Sequence, residues 1–223
     1  MSRTLAWRFG LYALVLGIQS LYLPLNHGLQ EGVVLDTRWD RYIPIWPIWI
    51  VPYSLATTIW LVGYAWAALR MEEQLYRALI ATSVLTTAIA IVTFTLYPTY
   101  IVRPVLVGND WATAWLRLVY ATDGVFNAFP SGHVYFTTII TLFWSRWYPR
   151  WRWAWAGFWL IVTLSTLFTG QHYIPDVFGG TGLAWASYRV GIWFVGLGRE
   201  GRQSGASSLS EKRDGRVLGH GRS

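Results

Sequence analysis

The chemistry available to this chain rests on a few side chains. His133 closes the stretch Asn127-Ala128-Phe129-Pro130-Ser131-Gly132-His133, between a polar loop and an apolar run starting at Val134. Pro130 suits the first turn of a helix, where its missing N–H costs nothing. Ser131, Gly132 and His133 are then expected in that turn, where backbone N–H groups lack an intrahelical acceptor. Such a helix end attracts anions, phosphate above all. Glycine lets an oxygen approach the backbone, the serine hydroxyl donates to it, and the histidine carries a proton.

His172 and Asp176 are four residues apart. If the segment turns helically, the carboxylate holds one imidazole nitrogen and leaves the other free as nucleophile or base. His133, at an anion site, is suited to donating a proton to a leaving oxygen. Arg103 offers a planar fork for phosphate oxygens. Together these are the parts for phosphoryl transfer through a covalent phosphohistidine, chemistry that requires no metal; no cofactor is expected. Each residue also has a plainer reading. An interfacial histidine is usually structural, Arg103 can snorkel to lipid phosphates, and Asp176 can cap a helix. Two histidines, an arginine and an aspartate on one face of a membrane protein exceed those readings.

The elements that must position these residues are apolar. Of the 223 residues, 54% are hydrophobic and 13% charged, against about 25% charged in an average soluble domain. Apolar runs near span length recur, which marks an integral membrane protein. Its net charge of +7 reads as membrane topology rather than nucleic-acid binding. The chain has no cysteine, so neither disulfides nor thiolate metal sites are available.

The pattern predicts an all-α polytopic bundle over residues 1–198, with six transmembrane helices near 5–25, 49–69, 79–97, 133–147, 155–168 and 177–195. Arg70, Glu72, Glu73 and Arg77 read as a short turn, and His27 as a loop histidine. Residues 98–130 form the longest internal connection. Within it Asn109-Asp110 cap a short amphipathic helix with Trp111, Trp115, Leu116, Leu118 and Val119 on one face, lying in the interface or packed on the core. Residues 199–223 are Gly, Ser and charge, the composition of a disordered basic cytoplasmic tail.

Six spans put both termini on one side, together with fourteen Lys and Arg residues; only Arg38, Arg41, Arg103 and Arg117 fall on the other. Both termini are therefore assigned to the cytoplasm, with the protein in the plasma membrane. Arg103, Ser131, His133, His172 and Asp176 then share the extracytoplasmic face.

The order Arg103-Pro104, then Pro130-Ser131-Gly132-His133, then Ser165 through His172 to Asp176, resembles the three-part signature of the type 2 phosphatidic acid phosphatase superfamily. The match extends to Gly170, two before the histidine, and to Gly179-Gly180 after the aspartate. The resemblance implies His172 as nucleophile, Asp176 as its orienter and His133 as acid for the leaving group. It implies Arg103, Ser131 and the Gly132 N–H as phosphate ligands. Two positions depart from the signature: Leu96 stands where a lysine is usual, and Thr166 where an arginine follows the serine. Two cationic ligands are therefore missing, and Arg117 is a candidate substitute at the interface.

Thr166 and the Gln171-His172-Tyr173 run, with Tyr97-Pro98 before Arg103-Pro104, are similar instead to the inositol-phosphotransferase-like branch. That branch includes inositol phosphoceramide synthases, and an alcohol can replace water as acceptor in it. Gly132 stands where it often has leucine. Thr166 and Gln171 therefore join the site as accessory residues. The expected activity is hydrolysis of a lipid phosphate or diphosphate monoester, of the phosphatidic acid or polyprenyl diphosphate type. The alternatives are transfer to an alcohol, and lipid binding without turnover. The expected partners are the lipid phosphate and the bilayer, with no nucleic acid.

Overall fold

The computed structural model describes residues 3–29 and 31–197; the proposed tail, 199–223, lies outside them. Eight α-helices follow in order: α1 Arg3–Ser20, α2 Tyr22–Gly28, α3 Ile50–Arg70, α4 Glu73–Leu96, α5 Trp111–Thr122, α6 Gly132–Trp147, α7 Arg152–Phe168 and α8 Ile174–Phe194. Among the described residues the β structure is confined to two isolated bridges, Val33 with Thr99 and Tyr100 with Phe126.

Three stretches are long and apolar enough to cross a membrane: Thr4–Gly28, Pro47–Arg70 and Glu73–Leu96. Two of the other long helices are shorter. α6 and α7 have 16 and 17 residues, below the ~20 of a straight span. α6 is sheathed by α3, α4, α7 and α8, and Val134, Tyr135, Ile139, Phe143 and Trp144 on it are almost fully buried. The outer helices instead expose Leu14, Val62, Val92, Leu160 and Phe178, as a lipid-facing surface does.

Several boundaries differ from the sequence reading. The first span bends at Leu21 into α2, which carries His27. His27 Nδ1 faces Leu23 O at 3.0 Å and Nε2 faces Thr122 O at 3.3 Å, a structural role. Glu73 and Arg77, read as a turn, are in the first turns of α4 and form an i,i+4 pair at 2.8 Å. Spacing of four favours that pair inside a helix. α7 begins at Arg152, three residues early, after a 3-10 turn over Pro149–Trp151.

Buried hydroxyls are the polar cost of an apolar bundle, and the helices satisfy most of them locally. Ser83 Oγ donates to Leu79 O and Thr87 Oγ1 to Ser83 O, each at 2.7 Å. Such back-bonding spares the group a partner on another helix. Packing then brings three connections to one end of the bundle. Trp46 N–H donates to Phe168 O at 2.8 Å, Val33 N–H to Pro98 O at 2.9 Å, and Ile174 N–H to Asp40 Oδ1 at 2.8 Å.

α5 lies across this end. Asp110 caps it, its Oδ1 accepting from Ala112 N–H and Thr113 N–H at 3.0 Å. Ala112 and Leu116 pack on Ile50 and Tyr53 at the start of α3. The helix is therefore packed on the protein, one of the two placements its sequence allowed. The packed face is narrower than the sequence suggested: Trp111 and Leu118 are exposed. An apolar arc of that width outruns the neighbours available to it, α3 and the Pro47–Trp49 turn.

Candidate active site

The site is built where α6 and α8 begin and α7 ends. α6 starts at Gly132 with Ser131 as its N-cap, and Val134 N–H points to Ser131 Oγ at 3.4 Å. Pro130 is therefore outside the helix rather than in its first turn; the Phe129–Pro130 peptide is cis. The serine cap supplies the helix start that proline was expected to supply. Ser131 is buried, and its N–H donates to Asp176 O at 3.1 Å, tying the two motifs together. Gly180 makes that approach possible. A Cβ there would stand 2.7 Å from Ser131 O, and one on Gly179 would enter the Phe129 ring. Gly132 is different: a Cβ on it would meet Tyr135 Oη at an ordinary 3.6 Å.

α7 ends at Phe168, and Gly170 turns the chain in the left-handed region, φ +62°. Its lack of a side chain is required there. The N–H groups of Gln171 and His172 both donate to Thr166 O, at 3.0 and 3.2 Å. Thr166, where the family usually carries arginine after the serine, thus holds the histidine loop with its carbonyl. Its hydroxyl donates to Thr163 O at 2.8 Å, and the residue is fully buried.

His172 Nδ1 lies 3.4 Å from Asp176 Oδ2. The same Oδ2 accepts from Tyr173 N–H at 2.8 Å. Asp176 therefore both caps α8 and faces the imidazole. At 3.4 Å the contact with His172 is electrostatic, and Nδ1 makes no hydrogen bond. A carboxylate beside Nδ1 favours the proton there and the lone pair on Nε2. His133 stacks on Tyr53, ring centres 3.9 Å apart, with Trp60 edge-on at 5.0 Å. Neither aromatic was singled out from the sequence; their only signal was position one turn and three turns into an apolar span.

Both imidazoles line one cavity of about 300 Å³, together with Gly132 and Gln171. Its lower walls are apolar, formed by Tyr12, Val15, Leu16, Leu61 and Phe136 of α1, α3 and α6. Leu16 and Leu61 are also exposed on the outside, so the cavity reaches the surface between α1 and α3.

Arg103 is not on the cavity wall. Its Nη1 donates to Tyr120 O and Asp123 O at 2.5 and 3.0 Å, and its Nη2 to Gly124 O and Gln171 Oε1 at 2.8 and 3.0 Å. Only Nε has no partner. The guanidinium lies over Tyr120, 4.6 Å from the ring centre. Burial pushes the Tyr120 phenol up to about 12, the Arg103 charge opposing it, and its hydroxyl donates to Thr169 O at 2.6 Å. Arg103 thus ties α5 to the histidine loop, and by engaging Oε1 it sets the orientation of the Gln171 amide. Gln171 Nε2 is left without a partner. Arg117, the considered substitute cation, is exposed and donates to Leu106 O and Gly108 O at 3.0 and 2.6 Å. It is also absent from the cavity wall.

The sequence of the PAP2 superfamily matches residues 19–190 of this chain, which takes in all three motifs. The inositol phosphorylceramide synthase catalytic subunit aur1 of Schizosaccharomyces pombe is 38% identical over 69 residues, 28% of this chain and 16% of that protein. The chain therefore spans only a small part of that relative. A paired imidazole and carboxylate, a second imidazole in the same cavity, and a match over most of the length agree: this chain belongs to the PAP2 superfamily.

Proposed function

We propose that this membrane protein is a phosphoryl-transfer enzyme acting on a lipid phosphate or diphosphate monoester, with water as the first acceptor. The observation that carries this is the His172–Asp176 pair opening on the cavity that also holds His133. His172 Nε2 attacks phosphorus while Asp176 balances the charge on Nδ1. His133 protonates the leaving oxygen. The N–H groups at the start of α6, at Gly132 and His133, and the free Nε2 of Gln171 take the phosphate oxygens. Ser131 acts as the cap that presents those N–H groups, and Arg103 sets Gln171; Thr166 holds the loop. The apolar wall between α1 and α3 takes the lipid chain.

In this reading residues 1–198 form one six-span domain with a basic tail over 199–223, both termini cytoplasmic, in the plasma membrane. The site faces the extracytoplasmic side, and catalysis proceeds without metal or cofactor. The chain lacks cysteine, so single cysteines report topology cleanly. A cysteine at Val105, exposed beside the site, is expected to react with an impermeant maleimide from outside intact cells; reaction only after lysis reverses the orientation.

Purified protein is expected to release phosphate from phosphatidic acid in the presence of EDTA, and His172→Ala to abolish release. Undiminished release in that variant would refute the mechanism. A second reading, transfer to an alcohol, is favoured by the similarity to the inositol phosphorylceramide synthase subunit. It is distinguished by a phosphorylated alcohol among the products.

A further inference from the structure

No lysine or arginine lines the cavity that holds the two histidines. Leu96 and Thr166 stand where two cations are usual, and the Arg103 fork is turned to helix-end carbonyls and Gln171. A phosphoryl group in transfer spreads its charge over three oxygens. Here those oxygens have to be met by neutral donors, and the N–H groups that open α6 are only part of the set.

The aromatic donors of the cavity wall narrow the choice. Tyr12, Tyr22, Tyr53, Trp60 and Tyr64 all line it, and four of these spend their hydrogen on the protein. Tyr22 donates to Asp123 Oδ1 at 3.2 Å, Trp60 to Thr137 Oγ1 at 3.2 Å and Tyr12 to Leu61 O at 3.1 Å. Tyr64 donates to Ser83 Oγ, whose own hydrogen goes to Leu79 O. Tyr53 differs. Its hydroxyl donates to no acceptor among the described residues, and its oxygen is not one of the buried, unpartnered atoms sealed by packing, as Gln171 Nε2 and His172 Nδ1 are. The Gln171 side chain approaches the phenol oxygen as a donor, which leaves the phenol hydrogen uncommitted. The ring is explained by packing: it sits with Ile50, Ala112 and Leu116 and stacks on His133 at 3.9 Å. A phenylalanine would make the same contacts, so the hydroxyl is what the fold leaves unexplained. The stacking holds it beside the start of α6, where an anion is favoured.

We infer that Tyr53 is a catalytic residue: its hydroxyl donates to a non-bridging oxygen of the phosphoryl group, in a place left without a cation by Leu96 and Thr166. The inference rests on the phosphohistidine reading above and adds a ligand to it. In the step it serves, the bond from phosphorus to the leaving oxygen breaks as the bond to His172 Nε2 forms. The leaving oxygen takes its proton from His133. Tyr53 keeps its own proton throughout, as a phenol does near neutral pH. Its hydrogen bond strengthens as charge gathers on the oxygen it faces.

The test compares Tyr53→Phe with wild type, as full-length protein in mixed micelles. Phosphatidic acid labelled with ³²P is the substrate, and orthovanadate, which mimics the transferring phosphoryl group, is a probe without a lipid chain. Removing a hydroxyl that donates to nothing in the protein is expected to leave the thermal unfolding midpoint unchanged. Turnover is expected to fall about fivefold, the net contribution of one hydrogen bond, and the inhibition constant for orthovanadate to rise by a similar factor. Label still reaches His172, more slowly. Unchanged turnover and unchanged vanadate inhibition, with label on His172, overturn the inference and leave the phosphohistidine reading standing. A raised KM for phosphatidic acid alone also overturns it, by giving the residue to the lipid chain. A lowered unfolding midpoint does the same, by giving the hydroxyl to the fold. Absence of any label on wild-type His172 refutes the phosphohistidine reading and the inference with it.

Discussion

Arg8 and Arg103 sit at opposite ends of the bundle and are built alike. Arg8 lies over Tyr76 at 4.3 Å and Arg103 over Tyr120 at 4.6 Å. Arg8 donates to Ala67 O and Met71 O where α3 ends. Arg103 donates to Tyr120 O, Asp123 O and Gly124 O where α5 ends. Each meets the orphan carbonyls and the negative pole of a helix C-terminus, a favoured place for a cation. Arg103 has one carbonyl partner more than Arg8, and one partner of a different kind. Arg103 also reaches a side chain, Gln171 Oε1, next to His172. The same fold-holding clamp has thus been connected to the site at one end and left purely structural at the other.

That difference is sharpest in paired substitutions. Arg8→Leu and Arg103→Leu both strand helix-end carbonyls and are each expected to lower stability by about 2–4 kcal/mol, read from thermal unfolding in detergent. Only Arg103→Leu is expected to lower turnover per folded molecule, by about a hundredfold. Equal turnover in the two variants would make Arg103 a clamp and no more. Gln171→Leu isolates the side-chain bond: turnover is expected to drop about tenfold while the unfolding midpoint moves little. A large fall in the midpoint would place Gln171 in the fold instead.

Much of this end of the molecule was legible beforehand. The three motifs and the Asp110-capped helix follow from spacing and residue type, because each depends on local geometry. The sequence suggests a phosphate fork at Arg103, since it shows the guanidinium but not the carbonyls a helix end turns toward it. Arg117 was considered for the same role and is committed to Leu106 O and Gly108 O. Pro130 suits a first helical turn by type, but Ser131 is the better cap and starts the helix at Gly132. Tyr53 and Asp123 carry no such local signal: their contacts form only when α3 meets α6 and α2 meets the 123–127 loop, 80 and 101 residues apart in sequence for the pairs with His133 and Tyr22.

Smaller effects bear on the same contrast. Tyr53→Leu removes the ring beneath His133 and is expected to reduce turnover several-fold, with substrate affinity less affected. An effect on affinity alone would assign Tyr53 to the lipid instead. The weakest is a pH effect on Tyr120. Its phenol titrates at about 12 in the fold, above its ordinary value near 10. The fold therefore holds that proton more tightly than the unfolded chain does. The stability it confers is complete below pH ~10 and is lost as pH rises toward ~12. Tyr120→Phe is expected to flatten this alkaline loss slightly, and an unaltered slope would discount the contribution.

The most direct measurement is rapid acid-free quenching of wild type turning over ³²P-labelled phosphatidic acid, followed by mapping of the labelled peptide. The expected result is an acid-labile, alkali-stable phosphoryl group on Nε2 of His172, absent in His172→Ala. Label on another residue, or full turnover with no phosphorylated protein at any quench time, would contradict it.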